Sequence, residues 1–306
     1  MPFDERASGV YVIAVTPFQP DGRIDTSSID RVTDFYLECG VSGITALGVM
    51  GEAPKLDAHE SVSLVRQMVG RAGKIPVIVG VTSPGFAPMR ALARESMEAG
   101  AAGVMIAPPT TLRTDDQIVA YYRQAREAIG DDVPFALQDY PLAFSVVMTP
   151  DVLRRIVSEN PSCVMLKIED WPSLEKITSL RQLEKNGAMR RVSVLTGNGA
   201  IFVDYELERG SDGAMTGYAF PDMLVDLVKL SSSGARDQAH DLFDAHLPLI
   251  RYEQQPGVGL AVRKYILVKR GAIEHDAQRK PASSLSATAR AEVDYLLARL
   301  DARSRI

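Results

Sequence analysis

Apolar residues recur along this chain in two alternating patterns: short unbroken runs, and longer stretches in which they fall three and four positions apart. The short runs, rich in Val and Ile and bounded by turn residues, predict strands, and the longer spacing predicts amphipathic helices. Val10–Val15 (VYVIAV) is the first predicted strand, ended by Thr16-Pro17. Ser27–Cys39 has helical spacing at Ile29, Val32, Phe35 and Tyr36, and Gly40 stops it. Gly43–Leu47 predicts the next strand. After the loop GVMGEAPKL, Asp57 caps a helix whose apolar stripe is Val62, Val65 and Val69. Six more strands are predicted at Pro76–Val81, Gly103–Ala107, Pro134–Gln138, Cys163–Ile168, Val192–Thr196 and Gly213–Met215. Helices are predicted between them at Ala87–Ala99, Asp115–Ile129, Pro150–Glu159, Leu174–Lys185 and Ile201–Arg209.

Strands this apolar suit a parallel sheet buried on both faces. Eight strand–helix repeats predict an α/β fold, a closed (β/α)8 TIM barrel. An open doubly wound sheet is disfavoured, because no GxGxxG follows the first strand. From Pro221 onward the pattern is helical only, at Met223–Ser231, Asp237–Arg251, Val258–Lys269 and Ala287–Leu300, with His275–Ser284 a polar, proline-containing connector. The reading is therefore a barrel over residues 1–220 that carries the active site. Residues 221–306 form a C-terminal helical subdomain packed on it.

Composition narrows the function classes. The 306 residues carry a net charge of −5, which leaves no footprint for nucleic acid or an anionic membrane. Cys39 and Cys163 lie in apolar surroundings and make no disulfide framework, so a reducing compartment is expected. His59, His240, His246 and His275 show no metal-ligand spacing. No basic start with a long apolar region and cleavage site, and no apolar run near 18 residues, is present. The expected setting is cytoplasmic.

One lysine stands out. Lys167 closes the run Cys163–Ile168, and a lysine is almost never fully buried without a reason. Inside a barrel its ammonium would be poorly solvated and its pKa would fall, giving the free amine that a Schiff base requires. On an edge strand it would simply face solvent. Strand alternation puts Met165, Lys167 and Glu169 on one face and Leu166 and Ile168 on the other. Glu169 could act as an acid/base group or sit outside the site in an ion pair, and the second is the expectation. Chemistry in a barrel sits where strands end. Gly48-Val49-Met50-Gly51-Glu52 would follow the second strand as a backbone nest for a carboxylate or phosphate, or as a tight turn that merely needs glycine. Gln138-Asp139-Tyr140-Pro141 would follow the fifth, with Gln138 and Tyr140 on one face, the tyrosine either moving protons or holding a substrate oxygen at the mouth, or a core residue whose hydroxyl the backbone satisfies. Gly197-Asn198-Gly199 and Gly213-Ala214-Met215-Thr216-Gly217 close the last two, their glycines giving room for a substrate or being required by barrel geometry alone.

Taken in order, these features resemble the dihydrodipicolinate synthase/N-acetylneuraminate lyase family of Schiff-base aldolases, over nearly the whole chain. The early Val15-Thr16-Pro17-Phe18, Asp21-Gly22 and the C-terminal helices belong to the resemblance. It implies a (β/α)8 barrel, a homotetramer, and an imine between Lys167 and a 2-oxo acid whose carboxylate lies on Gly48–Glu52. The departures are specific. Val49 and Met50 replace the two threonines common in that loop, which relay protons in the synthase. Gln138 stands where the catalytic tyrosine is expected, with Tyr140 a substitute by its shared facing. Ala143 replaces the arginine that receives the synthase's second substrate.

These departures are similar to a narrower branch, the L-2-keto-3-deoxyarabonate dehydratases, through Gly-Val-Met-Gly-Glu-Ala-Pro-Lys at 48–55, Leu-Gln-Asp-Tyr-Pro at 137–141 and Lys-Ile-Glu-Asp-Trp-Pro at 167–172. The resemblance implies dehydration of a 2-keto-3-deoxy sugar acid to 2-oxoglutarate semialdehyde, with the imine on Lys167 as electron sink and no metal or organic cofactor. Gln138 or Tyr140 would move protons, and Asn198, Thr216 and Arg113 would bind the polyol end. The alternatives are a pyruvate-dependent aldolase, a dihydrodipicolinate synthase, and a non-catalytic 2-oxo-acid binding protein.

Overall fold

A run such as Val-Ile-Val-Gly is too short and too β-branched to sustain a helix, and its backbone N–H and C=O groups need partners. In the computed structural model, which describes residues 3–171 and 173–303, neighbouring strands supply them by closing into a parallel barrel in sequence order. The strands are β1 (Gly9–Ile13), β2 (Gly43–Ala46), β3 (Val77–Gly80), β4 (Gly103–Ile106), β5 (Phe135–Asp139), β6 (Cys163–Ile168), β7 (Ser193–Thr196) and β8 (Gly213–Ala214). Pairing of Gly9 with Gly213 and of Val10 with Ala214 closes the ring. Pro172, the last residue of the 167–172 motif, lies outside the described residues.

Helices α1 (Thr26–Glu38), α2 (Ala58–Ala72), α3 (Phe86–Glu98), α4 (Asp115–Ile129), a single turn α5 (Pro141–Phe144), α6 (Pro150–Glu159), α7 (Ser173–Lys185) and α8 (Val203–Glu208) link the strands. Asp57 caps α2 as the sequence predicts, in a capping box with Glu60. The buried face of α2 differs from the predicted stripe: Ser61, Leu64, Val65, Met68 and Ala72 are buried, whereas Val62 and Val69 are only partly so. Leu64, Met68 and Ala72 fill a wider arc than three valines spaced three and four apart, and the helix rotates to bury it.

Strand alternation separates two cores. Leu166, Ile168 and their equivalents face the helices, whereas Tyr11, Ile13, Ile78, Met105, Ala136, Met165, Leu195 and Met215 fill the barrel interior. Phe3 seals the floor, packed so closely on Gly103 that a Cβ there would stand 2.5 Å from its ring.

Four helices follow the barrel: α9 (Pro221–Ser232), α10 (Arg236–Glu253), α11 (Gly259–Lys269) and α12 (Ala287–Arg303). A central tie between this region and the barrel mouth is Lys264 of α11, whose side chain is fully buried. Its Nζ donates to Glu52 Oε1 at 2.6 Å and to the carbonyls of Thr16 and Ala277 at 2.8 Å each. One ammonium thus joins the loops after β1 and β2 to the segment that follows α11.

Left-handed backbone is distributed unevenly. After helices it falls on glycines such as Gly40, Gly73, Gly100 and Gly130. Among the described residues, the non-glycine positions with positive φ are Leu47, Glu52, Ser145, Asn198 and Ala200, all in loops that leave the carboxyl ends of strands.

Two predictions follow from this packing. Replacing Lys264 with Ala leaves Glu52 buried against fewer cations and is expected to cost about 3–5 kcal/mol, read from denaturant unfolding. The second concerns Glu206 on α8, which is buried, accepts a hydrogen bond from the Ser173 hydroxyl, and has its carboxyl pushed up to about 7 by burial. Its ordinary value is 4.5, so between about 4.5 and about 7 the folded chain keeps a proton that the unfolded chain has released. The stability it contributes is complete below that window and lost as pH rises through it. Glu206→Gln should therefore flatten the fall in thermal midpoint across the window and leave the variant more stable than the parent above it.

Candidate active site

The interior packing of β6 continues upward from Met165 to Lys167, which therefore projects into the barrel rather than to solvent. The lysine is 4% exposed and lies on the wall of an open cavity of about 870 Å³ at the carboxyl ends of the strands. Its Nζ stands 2.9 Å from Glu169 Oε1. Glu169, 6% exposed, lies within the cavity wall, so the expectation of an ion pair outside the site is corrected. The alternation that brings Lys167 inward carries the carboxylate with it.

Glu169 is held on three sides. Its Oε1 also accepts from Gln138 Nε2 at 2.6 Å, and its Oε2 accepts from the backbone N–H of Asn198 at 3.0 Å. The lack of a side chain at Gly197 makes this possible, because a Cβ there would fall 2.3 Å from Glu169 Cγ. The glycine after β7 thus gives room to a protein carboxylate rather than to a substrate. Gly217 after β8 behaves alike: a Cβ would meet Met50 Sδ at 2.5 Å and Arg263 Nη1 at 3.1 Å.

Gln138 and Tyr140 both line the cavity, although β5 ends at Asp139. Burial raises the pKa of the Tyr140 phenol, and the charge of Glu169 raises it further. Behind this wall Asp139 turns outward to Lys176, whose Nζ is 2.7 Å from Asp139 Oδ2 and also contacts Asp170. Thr216 and Asn198 line the same cavity.

The loop after β2 opens with a 3-10 turn, Val49–Gly51, and a second follows at Ala53–Lys55. The amides of Gly51 and Glu52 are used inside the first turn, donating to the carbonyls of Gly48 and Val49 at 2.9 and 3.2 Å. Those of Val49 and Met50, at its start, have no such partner among the described residues, and both residues line the cavity. Gly48 is required by contact, since a Cβ would stand 2.9 Å from Ile13 Cγ2, and the positive φ falls on the flanking Leu47 and Glu52. The Glu52 carboxylate is turned away from the cavity, to Lys264, to Lys55 Nζ at 2.8 Å and to the amide of Arg279 at 3.1 Å. Arg113 is placed elsewhere. Its guanidinium folds back on its own loop, donating to the carbonyls of Thr110 at 2.5 Å and Leu112 at 2.8 Å, and it does not line the cavity. The short reach from the fourth strand's loop is satisfied locally.

The outer wall of the cavity comes from the helical region, which sequence reasoning did not assign to the site. Glu253, Gln254 and Arg263 line it. Gln254 Nε2 donates to the carbonyl of Asn198 at 3.0 Å, and Arg263 Nε donates to Glu253 Oε2 at 2.9 Å. The signal was present as two adjacent charges, Arg263-Lys264, inside an otherwise apolar helical run. Among the described residues no group of His, Cys, Asp or Glu side chains could hold a metal ion, and no helix is long and apolar enough to cross a membrane. The arrangement can form a covalent bond at an amine, accept a proton within 3 Å of it, and hold an anion on free amides.

Comparison with known proteins agrees with this chemistry. Residues 6–300 match the Dihydrodipicolinate synthetase family. The chain is 30% identical to the L-2-keto-3-deoxyarabonate dehydratase of Azospirillum brasilense, over 97% of its own length and 95% of the relative's. It is 28% identical to the 4-hydroxy-tetrahydrodipicolinate synthase of Pseudomonas aeruginosa, over 79% of its own length and 81% of the relative's. Among solved structures, the dihydrodipicolinate synthase from Rhodopseudomonas palustris superposes with a TM-score of 0.96 at 64% identity, covering 98% of this chain and 99% of that one.

Proposed function

The chain belongs to the dihydrodipicolinate synthetase family, and from that membership we propose a Schiff-base-forming lyase or aldolase in which Lys167 captures a 2-oxo acid. The observation that carries the reading is the inward lysine, buried on a cavity wall with Glu169 at 2.9 Å. Its amine attacks the C2 ketone and water leaves, giving an iminium that acidifies the C3 protons. Glu169 is placed to take the proton that the ammonium must lose first, and then to act on C3 or the leaving group. Gln138 fixes that carboxylate, Tyr140 offers a phenol on the same wall, and the free amides of Val49 and Met50 receive the substrate carboxylate. Asn198 and Thr216 are placed for the hydroxyls of a longer substrate.

Two finer readings differ in the bond that breaks next. In a pyruvate-dependent aldolase or synthase, the enamine exchanges a C3–C4 bond. Similarity to the Rhodopseudomonas and Pseudomonas proteins supports this reading, and it is the one the comparisons favour. In a dehydratase the enamine expels the C4 hydroxyl as water, leading from L-2-keto-3-deoxyarabonate to 2-oxoglutarate semialdehyde. The hydroxyl-free Val49 and Met50, Gln138 held against Glu169, and the Azospirillum relative support this second reading.

Borohydride added with pyruvate is expected to leave a reduced adduct on Lys167, found by peptide mass spectrometry. Lys167→Ala should abolish both adduct and turnover in protein that circular dichroism shows to be folded, at a lowered unfolding midpoint because Glu169 loses its cation. An unmodified Lys167 in the parent protein would overturn the imine and leave a binding protein. Glu169→Gln should lower kcat by about 10²-fold or more. Product masses divide the finer readings: an intact carbon chain lighter by one water from L-2-keto-3-deoxyarabonate marks the dehydratase, and pyruvate plus a two-carbon aldehyde marks the aldolase.

A further inference from the structure

The cavity holds a second buried cation that the proposed chemistry leaves unused. Arg263 reaches it from α11 with a side chain only 7% exposed. One side of its guanidinium is fixed, Nε donating to Glu253 Oε2 at 2.9 Å, and Glu253 is itself buried and accepts from the amide of Ala219 at 3.4 Å. Nη1 meets the thioether of Met50, which also lines the cavity, and that sulfur is the one partner of the terminal nitrogens among the described residues. A thioether is a weak acceptor and carries no charge. The two meet over Gly217, where a Cβ would collide with the Met50 thioether and press on the guanidinium.

A guanidinium anchored at Nε, with its fork left in a cavity, is built to take a planar two-oxygen anion. Its neighbour Met50 belongs to the 3-10 turn whose first two amides are free, and neither Val49 nor Met50 brings a hydroxyl to that turn. We propose that Arg263 binds the carboxylate of the 2-oxo acid held on Lys167, completing with the Val49 and Met50 amides an anion site assembled from the barrel and the helical region together. This assignment rests on the imine reading above. It makes α11 part of substrate recognition.

Pyruvate provides the test, because beyond its carboxylate and ketone it has only a methyl group. The concentration that half-saturates borohydride trapping on Lys167 is measured for the parent, for Arg263→Gln, and for the double variant Glu253→Gln/Arg263→Gln. The double variant replaces the ion pair with an uncharged hydrogen-bonded pair, so that no buried carboxylate is stranded, and circular dichroism checks its fold. Methyl pyruvate, an uncharged ester, is trapped in parallel. The expected result is a rise of at least about tenfold in half-saturating pyruvate in the folded variants, together with loss of the parent's preference for acid over ester. Unchanged half-saturation for pyruvate overturns the assignment, including the case in which a longer 2-oxo sugar acid alone is weakened, which places Arg263 at the distal end. Weaker trapping with the acid-over-ester preference intact also overturns it, as a structural effect. A parent protein that traps neither compound removes the imine reading itself, and the assignment with it.

Discussion

A filled barrel has room for chemistry only where its packing stops, and there a charge must be answered by another charge. That constraint organises this molecule. Below Lys167 the interior is Met165, Ala136, Leu195 and their neighbours, apolar side chains that cannot solvate an ammonium. The strand's own periodicity supplies Glu169 two positions on, and the surroundings are shaped to keep it there: Gly197 yields space, Asn198 lends an amide, and Gln138 lends an amide hydrogen. Buried pairs of this kind add little to stability in net terms. Their value here lies in leaving an amine and a proton acceptor in contact, away from bulk water.

The helical region meets the barrel through the same logic repeated. Lys264 answers Glu52, and Arg263 answers Glu253, from consecutive positions of one helix. Consecutive residues on a helix point about 100° apart. One charge therefore grips the loop after β2 while the other reaches the cavity. The mouth is thus a joint product of two parts of the chain far apart in sequence.

Much of this was legible beforehand. Apolar runs and their turn residues marked all eight strands, and the alternation of Met165, Lys167 and Glu169 gave the direction of each side chain. The places where sequence reading failed share a cause. What holds Glu169 within the site, why Gly197 and Gly217 lack side chains, and where the Glu52 carboxylate turns are all decided by partners more than twenty residues distant. The same holds for α2, whose buried face is set by what it packs against as much as by its own valines. Arg113 shows the converse: a basic residue near a strand end is taken up by the carbonyls of its own loop.

The five left-handed residues in the strand-end loops carry one more consequence. Such backbone costs a side-chain-bearing residue on the order of 1 kcal/mol, less for asparagine, and glycine would escape it. The chain uses glycine freely after its helices, yet keeps Leu47, Glu52, Asn198 and Ala200 at the mouth. Local preference and overall fold therefore disagree there, a form of frustration that the rest of the barrel avoids. A redesign guided by stability alone would relax those positions first, and in doing so would loosen the loops that hold Lys264, Glu169 and Gln254 in place.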